Sequence, residues 1–199
     1  PVLFGQRYVA PAVVSFLRLH PDVHVDLLLL DRVVDLVEEG IDVGVRIGRL
    51  ADSSMVAVPV GSMRRVLCAS PEVVGGAGPR RPEDLAAQPC VRFRALAAGE
   101  QWRFREGKRD VAVPITGRFI TNQAAAAVAA CTEGLGFGLF LHYQVAAEIE
   151  DGRLQVVLED YEPEPSPVSL VYADARLPSA RQRAFLDTAK RELRRRLQA

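Results

Sequence analysis

The residues best suited to bind a small molecule stand at the starts of predicted helices. Thr121 and Asn122 precede an Ala-rich run, 123–133, whose composition predicts a helix. The free N–H groups of a helix start favour an anion or another polar acceptor, and the Thr and Asn side chains add donors. The same residue types often cap helices without binding a ligand, so a capping role and a binding role stay equally open.

Two further places could face a ligand. The stretch 4–6 (FGQ) opens the first predicted helix, where Gly5 would let a ligand approach the backbone. Arg46 ends a predicted strand, and an arginine there can bind a carboxylate through two parallel hydrogen bonds. Its alternative role is a surface ion pair with Asp42 or Asp52.

The glycine-rich run 134–138 (GLGFG) has the composition of a nucleotide-binding loop but not its context. A Rossmann fingerprint follows a strand and opens a helix. This run instead follows the predicted helix 123–133 and opens an apolar strand. Gly134 is therefore interpreted as the residue that ends the helix, and the later glycines as places of close backbone approach.

The sequence gives little support for a catalytic site or a metal site. The sequence contains no G-x-S-x-G stretch and no serine or cysteine in a recognisable triad. The histidines lack partners at zinc-ligand spacing. The cysteines are odd in number and widely spaced, which favours buried thiols in a reducing compartment, with a redox sensor as the alternative. We therefore expect no catalytic residue, no metal and no cofactor. The residues concerned are His20, His24, His142, Cys68, Cys90 and Cys131.

Two clusters have both a structural and a functional interpretation. Trp102, Phe93 and Phe104 either form ordinary core or wall a ligand site, and the first is favoured. Four arginines at 191–196 either form a nucleic-acid patch or a solvated helix end. The second is favoured, because cations are stabilised at the carboxyl end of a helix.

Composition limits the class of protein. The chain has 199 residues, of which 25% are charged and 49% hydrophobic, as in a globular chain with one large domain or two lobes. Lys+Arg and Asp+Glu are both 25, whereas a module that binds nucleic acid alone normally has a basic surplus. No apolar run approaches the ~20 residues of a membrane span. Because the chain opens with Pro1, we expect an excised fragment of a cytoplasmic protein.

Hydrophobic periodicity predicts an α/β fold. The predicted helices are 6–19, 32–39, 83–87, 123–133, 143–150 and 178–197. The predicted strands are 23–30, 41–47, 55–60, 64–69, 90–94, 101–105, 111–113, 118–120, 137–141, 154–158 and 168–172. Helix and strand alternate over the first fifty residues, which predicts a parallel sheet. In that stretch Asp31 is expected to cap the helix 32–39 and Gly40 to end it.

Two Pro-rich stretches, near 70 and near 165, predict places where the chain crosses between lobes. The simplest arrangement is two Rossmann-like α/β lobes joined by two crossover strands. Lobe 1 would comprise 1–70 plus 165–199, and lobe 2 would comprise 71–164. Small ligands usually bind α/β folds beyond the carboxyl ends of the strands, here in a cleft between the lobes.

Five stretches of the sequence resemble the effector-binding domain of LysR-type transcriptional regulators. They are PVLFGQRYVAPAVVSFLRLHPDVHVDL (1–27), DRVVDLVEEGIDVGVRIGRLADSSMVA (31–57), RRVLCASPEVV (64–74), TNQAAAAVAACTEGLGFGLFLHYQVAAEIEDGRLQVVL (121–158) and LPSARQRAFLDTAKREL (177–193). The resemblance implies a two-lobed fold similar to type II periplasmic binding proteins. It also implies that a winged helix-turn-helix and a linker helix come first in the intact regulator, and that the first strand of the domain ends at about Pro1.

The resemblance further implies a sensor of a small, anionic metabolite that works without catalysis or cofactor. The implied effector-binding residues are Val2, Phe4, Gly5, Gln6, Arg46, Ile47, Gly48, Phe93, Thr121, Asn122 and His142. Many relatives have proline where Leu141-His142 stands here, so the ligand type does not carry over at that position. The implied mechanism is a population shift, in which the ligand binds two lobe arrangements with different affinity.

The implied partners are DNA through the missing N-terminal domain, RNA polymerase and further copies of the chain as a homodimer or tetramer, with no membrane. Helix 6–19 of one subunit would lie against helix 123–133 of the other, and burial within the same lobe is the alternative. The implied interface residues are Val9, Val13, Leu17, Ala126 and Ala130. Two other classes stay open: an extracytoplasmic solute-binding protein of similar fold, and an α/β enzyme acting on a small acid.

Overall fold

The computed structural model describes residues 1–48, 55–75, 78–94, 100–173 and 178–197. The chain forms two compact units: Pro1–Met63 with Ser166–Ala199, and Arg64–Pro165. The predicted boundary near Ser70 is displaced by one strand. The strand that begins at Arg65 pairs with two strands of the second unit, so it belongs there and not to the first lobe.

Unit 1 is a three-stranded antiparallel sheet with helices. Its helical elements are α1 (Val2–Phe4), a π-helical turn (Gly5–Val9), α2 (Ala10–Leu19) and α6 (Ala180–Leu197), and its strands are β1 (Gly44–Ile47), β2 (Met55–Met63) and β10 (Ser166–Ala173). Strand β10 lies between β1 and β2 and runs antiparallel to both, so the predicted parallel sheet is wrong for this unit. Phe16 and Phe185 join α2 to α6 through an edge-to-face contact of 5.2 Å between ring centroids.

Two elements predicted for the first fifty residues are absent. The segment 23–30 alternates like a strand, but it pairs with no strand in the described part of the chain. The predicted helix 32–39 is reduced to turns at residues 36–40. The Asp35 carboxylate accepts hydrogen bonds from the backbone of Val37 (2.8 Å) and Glu38 (3.1 Å), the bonds of a helix N-cap, so the local order starts at Asp35 and not at Asp31. Asp31 caps a different helix, since its Oδ1 accepts from Val2 N at 3.0 Å.

Unit 2 is built on a five-stranded mixed sheet in the order β7-β4-β8-β3-β9. Its strands are β3 (Arg65–Ala69), β4 (Cys90–Phe93), β5 (Gln101–Glu106), β6 (Arg109–Pro114), β7 (Phe119–Thr121), β8 (Phe137–Leu141) and β9 (Gln155–Val157). Its helices are α3 (Pro71–Gly75), α4 (Ala124–Thr132), α5 (His142–Glu150) and 3₁₀ turns at Pro82–Ala87 and Glu159–Tyr161. Strand β4 is parallel to β7 and β8, and β3 is antiparallel to β8 and β9.

The core of unit 2 lies between this sheet and the β5–β6 hairpin. Trp102 and Phe104 of the hairpin are 3% exposed and pack with Leu67 and Leu139 of the sheet. Both side chains are buried on the face of the hairpin that packs against the sheet, which confirms that these two aromatic residues belong to the core.

The glycine run after α4 has the structural role that its context predicts. Gly134 ends the helix with a φ of +77°, and its N–H donates to Cys131 O at 3.1 Å. A Cβ on Gly136 would lie 2.2 Å from Pro89 O, and one on Gly138 would lie 2.7 Å from the Cys131 Sγ. Close packing of backbone on backbone and of α4 on the sheet therefore requires both glycines.

Among the described residues, no helix is both long and apolar enough to cross a membrane.

Candidate functional site

Three parallel strands of unit 2 end at the same edge of the sheet. Phe93 of β4 lies opposite Thr121 of β7, and the ladder continues because Arg94 N donates to Thr121 O at 2.9 Å. Strand β8 is parallel to β4, and His142 follows it at the start of α5. The structure thus brings together the predicted site residues of unit 2 where α/β sheets usually bind ligands. They are Thr121, Asn122 and His142, which are at least partly exposed, and Phe93, which is buried in the core at 4% exposure.

Helix α4 also begins at this edge, one residue later than predicted. Its first residue is Ala124, and the side chain of its N-cap residue, Gln123, makes no capping hydrogen bond. The Thr121 hydroxyl instead accepts a hydrogen bond from Gln123 N at 3.1 Å, which closes the turn before the helix. Asn122 precedes the N-cap residue Gln123 and is exposed, so its amide is accessible to a ligand.

Arg65 reaches the same edge from the neighbouring strand. It stands opposite Leu141, the last residue of β8, and its side chain is partly buried. Burial lowers the pKa of its guanidinium. Sequence reasoning missed this residue as a candidate. The available signal was a second consecutive arginine at the head of an otherwise apolar strand.

A groove of about 560 Å³ runs between α5 and β9, and His142 is the one predicted site residue among those that line it. Its other charged lining residues are Arg64 and Glu159. Arg64 donates to Glu162 through Nε (2.9 Å) and Nη2 (2.8 Å) and to Glu159 at 3.4 Å. The bond to Glu162 raises the pKa of Arg64. The cation of the groove is therefore neutralised by carboxylates of the same unit.

The predicted ligand contacts at the first helix are partly corrected. Phe4 is fully buried and stacks on Tyr8 with 4.8 Å between ring centroids. Gly5 lies inside the helix and not at its start, and a Cβ there would fall 2.2 Å from Leu29 Cδ2. The space that Gly5 leaves is thus filled by a leucine, and no room remains for a ligand at that point. Gln6 is exposed.

Arg46 lies close to the start of the first helix. Its Nη2 donates to Val34 O. Asp31 and Arg46 both lie within electrostatic reach of the start of this helix. Asp52, one of the predicted ion-pair partners of Arg46, is outside the described residues.

The other predicted residues at this end of unit 1 are Val2, Ile47 and Gly48. Val2 and Ile47 are partly buried, and the Val2 N–H is already bonded to Asp31. Gly48 is also partly buried, with a φ of +115° and nothing within 4 Å of where a Cβ would lie, and its N–H donates to Pro167 O at 2.8 Å. Of the predicted residues of unit 1, Phe4 and Gly5 are therefore buried, Gln6 is exposed and the others are partly buried.

The predicted interface residues also divide by burial. Val9 and Val13 are 8% and 7% exposed, so they pack inside unit 1 and cannot lie on an outer surface of α2. The outer side of α2 presents Val14, which is 48% exposed. On α4, Ala126 is exposed and Ala130 is partly exposed. Leu17 is also partly exposed.

The three thiols are buried in unit 2, and the structure has them as free cysteines. Burial raises the pKa of Cys90 and of Cys131 to about 12, and it raises that of Cys68 further still. A thiol that stays protonated is a poor nucleophile and a poor metal ligand. Within the described residues, no group of three or more His, Cys, Asp or Glu side chains is placed to hold a metal ion.

The basic end of α6 is held by its own surroundings. Arg194 Nη2 donates to Pro59 O at 3.0 Å, and Arg195 pairs with Glu192 at 3.0 Å. These contacts favour the interpretation of the four arginines as a solvated helix end.

Two mixed α/β units, one with polar side chains gathered at the carboxyl ends of parallel strands, are typical of ligand-binding domains of the type II periplasmic-binding-protein class. The family model described as the LysR substrate binding domain matches residues 1–194. The chain therefore belongs to the LysR substrate-binding domain family, as its sequence stretches indicated.

Named relatives agree with this assignment. The HTH-type transcriptional regulator YcaN of Escherichia coli K12, described as uncharacterized, is 32% identical over 185 residues, which cover 92% of this chain and 61% of the relative. The regulator DmlR of the same strain is 33% identical over 187 residues, covering 92% and 60%. The regulatory domain of AphB from Vibrio vulnificus is 27% identical with a TM-score of 0.79, covering 95% of this chain and 94% of that one.

These likenesses decide between the alternatives that the sequence left open. The chain spans about three fifths of the length of the two E. coli relatives, both of which are described as transcriptional regulators. The domain therefore belongs to a family of regulators, which confirms the expectation that it is not an enzyme and sets aside the solute-binding and small-acid enzyme alternatives.

Proposed function

We propose that this domain senses a small anionic metabolite for a LysR-type transcriptional regulator in the cytoplasm. The effector contacts Thr121, Asn122 and His142 at the carboxyl edge of the unit 2 sheet. Residues Gln6, Arg46 and Gly48 of unit 1 are further contacts in this proposal. The predicted cleft between the lobes stays a prediction, and the argument rests on each unit taken separately.

The observation that carries this proposal is the meeting of three parallel strand ends with the starts of α4 and α5 at one sheet edge. The N-terminal end of each helix carries a partial positive charge, so two helix starts favour a negatively charged ligand. The exposed Asn122 amide adds a directional donor. An anion bound there meets hydrogen-bond donors and a favourable field without any rearrangement of the sheet.

In the intact regulator, effector binding controls transcription through a DNA-binding domain ahead of Pro1, as the length of the two E. coli relatives and their description as HTH-type regulators suggest. The domain also assembles as a homodimer or tetramer, and RNA polymerase is a further partner of the whole protein. A ligand alters DNA binding only if it binds two arrangements of the domain with different affinity. The effector must therefore bind one arrangement more tightly than the other.

A thermal-shift screen of residues 1–199 tests the sensing function. The panel pairs carboxylates with their uncharged amides: benzoate with benzamide, and succinate with succinamide. A carboxylate present at 100 times its Kd should stabilise the domain by ~2.7 kcal/mol, and its amide should not. Equal effects of acid and amide would contradict the anionic effector, and no effect of any carboxylate would contradict the proposal for this ligand class.

A further inference from the structure

We propose that residues 159–165 (EDYEPEP), here called the acidic strap, hold together the two places where the chain crosses between the units and so limit how freely the units move. This role goes beyond the proposed function, because it concerns the movement of the domain itself and its test needs no effector. It depends on Arg64 and Glu162, which the proposed effector site does not use.

The two crossing points are neighbours in the structure. The chain leaves unit 1 after Met63 and returns to it at Ser166, and these two residues are partners in the β2–β10 ladder. The next residues, Arg64 and Pro165, are the two ends of unit 2. Any movement of one unit against the other must therefore change backbone angles in these few residues, which act as the hinge.

The acidic strap is stiff because of its prolines. Pro163 and Pro165 fix their own φ, and a proline also restricts the residue before it to extended conformations. Glu162 has such a conformation, with a φ of −59° and a ψ of 135°. The stretch 162–165 therefore has little freedom to bend, whereas the outward crossing at 63–64 contains no proline.

Three carboxylates of the acidic strap are paired with arginines of unit 2. Arg64 donates to Glu162 through Nε (2.9 Å) and Nη2 (2.8 Å), and its Nη2 also donates to Glu159 at 3.4 Å. Further along, Arg105 of β5 pairs with Glu164. The acidic strap is therefore fixed to unit 2 along its length.

The Arg64–Glu162 pair joins the two crossings directly. Arg64 is the first residue of unit 2, and Glu162 lies just ahead of the return crossing. The backbone of Arg64 is held as well, because its carbonyl oxygen accepts from His142 N at 2.9 Å. Most exposed ion pairs contribute little, but this one has two hydrogen bonds and a carboxylate side chain that is only 16% exposed. Without this pair, the two crossings can bend independently.

The test measures the distance between the units by single-molecule fluorescence energy transfer. Val37→Cys in unit 1 and Gln101→Cys in unit 2 carry the dyes, because both residues are exposed and the native cysteines are buried. We expect Arg64→Gln and Glu162→Gln each to widen the distribution of this distance. The double variant should be no wider than Arg64→Gln alone, because both changes break the same pair. Potassium chloride at ~1 M should widen the wild-type distribution more than that of Arg64→Gln, since salt screens the pair.

Arg153→Gln is the matched control. The Arg153 side chain is 51% exposed, against 49% for Arg64, and it likewise pairs with two carboxylates of unit 2, those of Glu148 and Asp151. This variant should keep the wild-type width. An unchanged width in both Arg64→Gln and Glu162→Gln would overturn the proposal, and so would equal widening by Arg153→Gln. Melting temperatures show whether each variant is folded, and if Arg64→Gln is not, Glu162→Gln decides. None of these outcomes depends on an effector, so the sensing function is tested separately.

Discussion

At the scale of single residues, the proposed site depends on side chains that neither cap a helix nor pack in the core. Asn122 follows β7, its amide does not cap α4, and it is exposed at the edge where the parallel strands end. Asn122 is therefore the clearest single-residue test of the site, because removing its side chain disturbs no helix cap and no core packing.

We predict that Asn122→Ala weakens binding of the carboxylate found in the screen by about 3–10-fold, the usual loss for one net hydrogen bond. Titration calorimetry measures the change. The unliganded melting temperature should stay at the wild-type value. Gln101→Ala, which removes another exposed amide of unit 2, is the control and should bind normally. Wild-type affinity in Asn122→Ala would remove this residue from the site.

The buried thiols make a second prediction at this scale, for stability at alkaline pH. In the unfolded chain a thiol ionises near its ordinary pKa of 9.0, whereas burial, with a smaller contribution from Cys90, raises the pKa of Cys131 to about 12. Above pH 9 the unfolded state therefore loses thiol protons that the folded state keeps. The free energy of unfolding falls as the pH rises from 9 towards 12.

Urea unfolding at a series of pH values measures this slope. Each buried thiol contributes up to ~1.4 kcal/mol per pH unit, so Cys131→Ala should show a slope shallower by about that amount. The alanine variant is less stable at every pH because it leaves a small cavity. That offset does not alter the slope, and other titrating groups are common to both proteins. Parallel stability curves for the two proteins would contradict the buried, protonated state of Cys131.

At the scale of elements, Gly136 shows how closely the chain before β8 approaches the chain before β4. Gly136 and Gly152 both have positive φ, +150° and +72°, but a Cβ on Gly136 would lie 2.2 Å from Pro89 O, whereas one on Gly152 has open space. We predict that Gly152→Ala costs about 1–2 kcal/mol for its conformation alone. Gly136→Ala should cost at least ~2 kcal/mol more, because backbone atoms of two strands must separate.

Urea denaturation of both variants checks this difference. Equal losses of stability would mean that the two strands separate easily at this point. The close approach of Gly136 to the chain ahead of β4 would then contribute nothing to the position of the sheet edge.

The elements also show what the sequence can predict and what it cannot. Helices α4, α5 and α6 and the buried strands of unit 2 lie close to where their local composition and periodicity predict them, because both report burial within a few residues. The segment 23–30 has an equally clear pattern, yet a strand also needs a neighbour, and periodicity says nothing about partners. Asp31 illustrates the same limit, since its type predicts a cap for the residues that follow it, whereas its carboxylate accepts from Val2 N, 29 positions away.

The candidate site also contains residues whose place follows from the local sequence and residues whose place does not. The position of Thr121 and Asn122 just before α4 could be predicted because helix-start chemistry is local to a few residues. Arg65 could not, since its place at the edge depends on its pairing with Leu141, which is 76 positions away in the chain. The type of Gly5 and its place at a predicted helix start predict a ligand-facing role, whereas its contact with Leu29 is set by packing across unit 1. Long-range register and packing therefore carry the part of the site that the sequence did not reveal.

At the scale of the whole molecule, the balance of charge leaves apolar surface as the means of self-association. Lys+Arg and Asp+Glu are both 25, so net charge neither drives copies together nor holds them apart. In unit 2 the outer side of α4 presents exposed alanines, and Ile120 of the edge strand β7 is 42% exposed. Small side chains allow close approach of a second helix, and an edge strand beside them extends the apolar surface.

We predict that Ala126→Glu weakens self-association of the domain, because it places a charge on the face of α4 that the proposed dimer buries. Sedimentation velocity over a range of protein concentrations measures the effect, which should be at least a ~10-fold rise in the dissociation constant. Val37→Glu is the control: Val37 is 67% exposed in unit 1, so the change introduces the same charge away from α4. If Val37→Glu dissociates the assembly and Ala126→Glu does not, the interface lies on the turns around 32–39, and the predicted pairing through α4 is wrong.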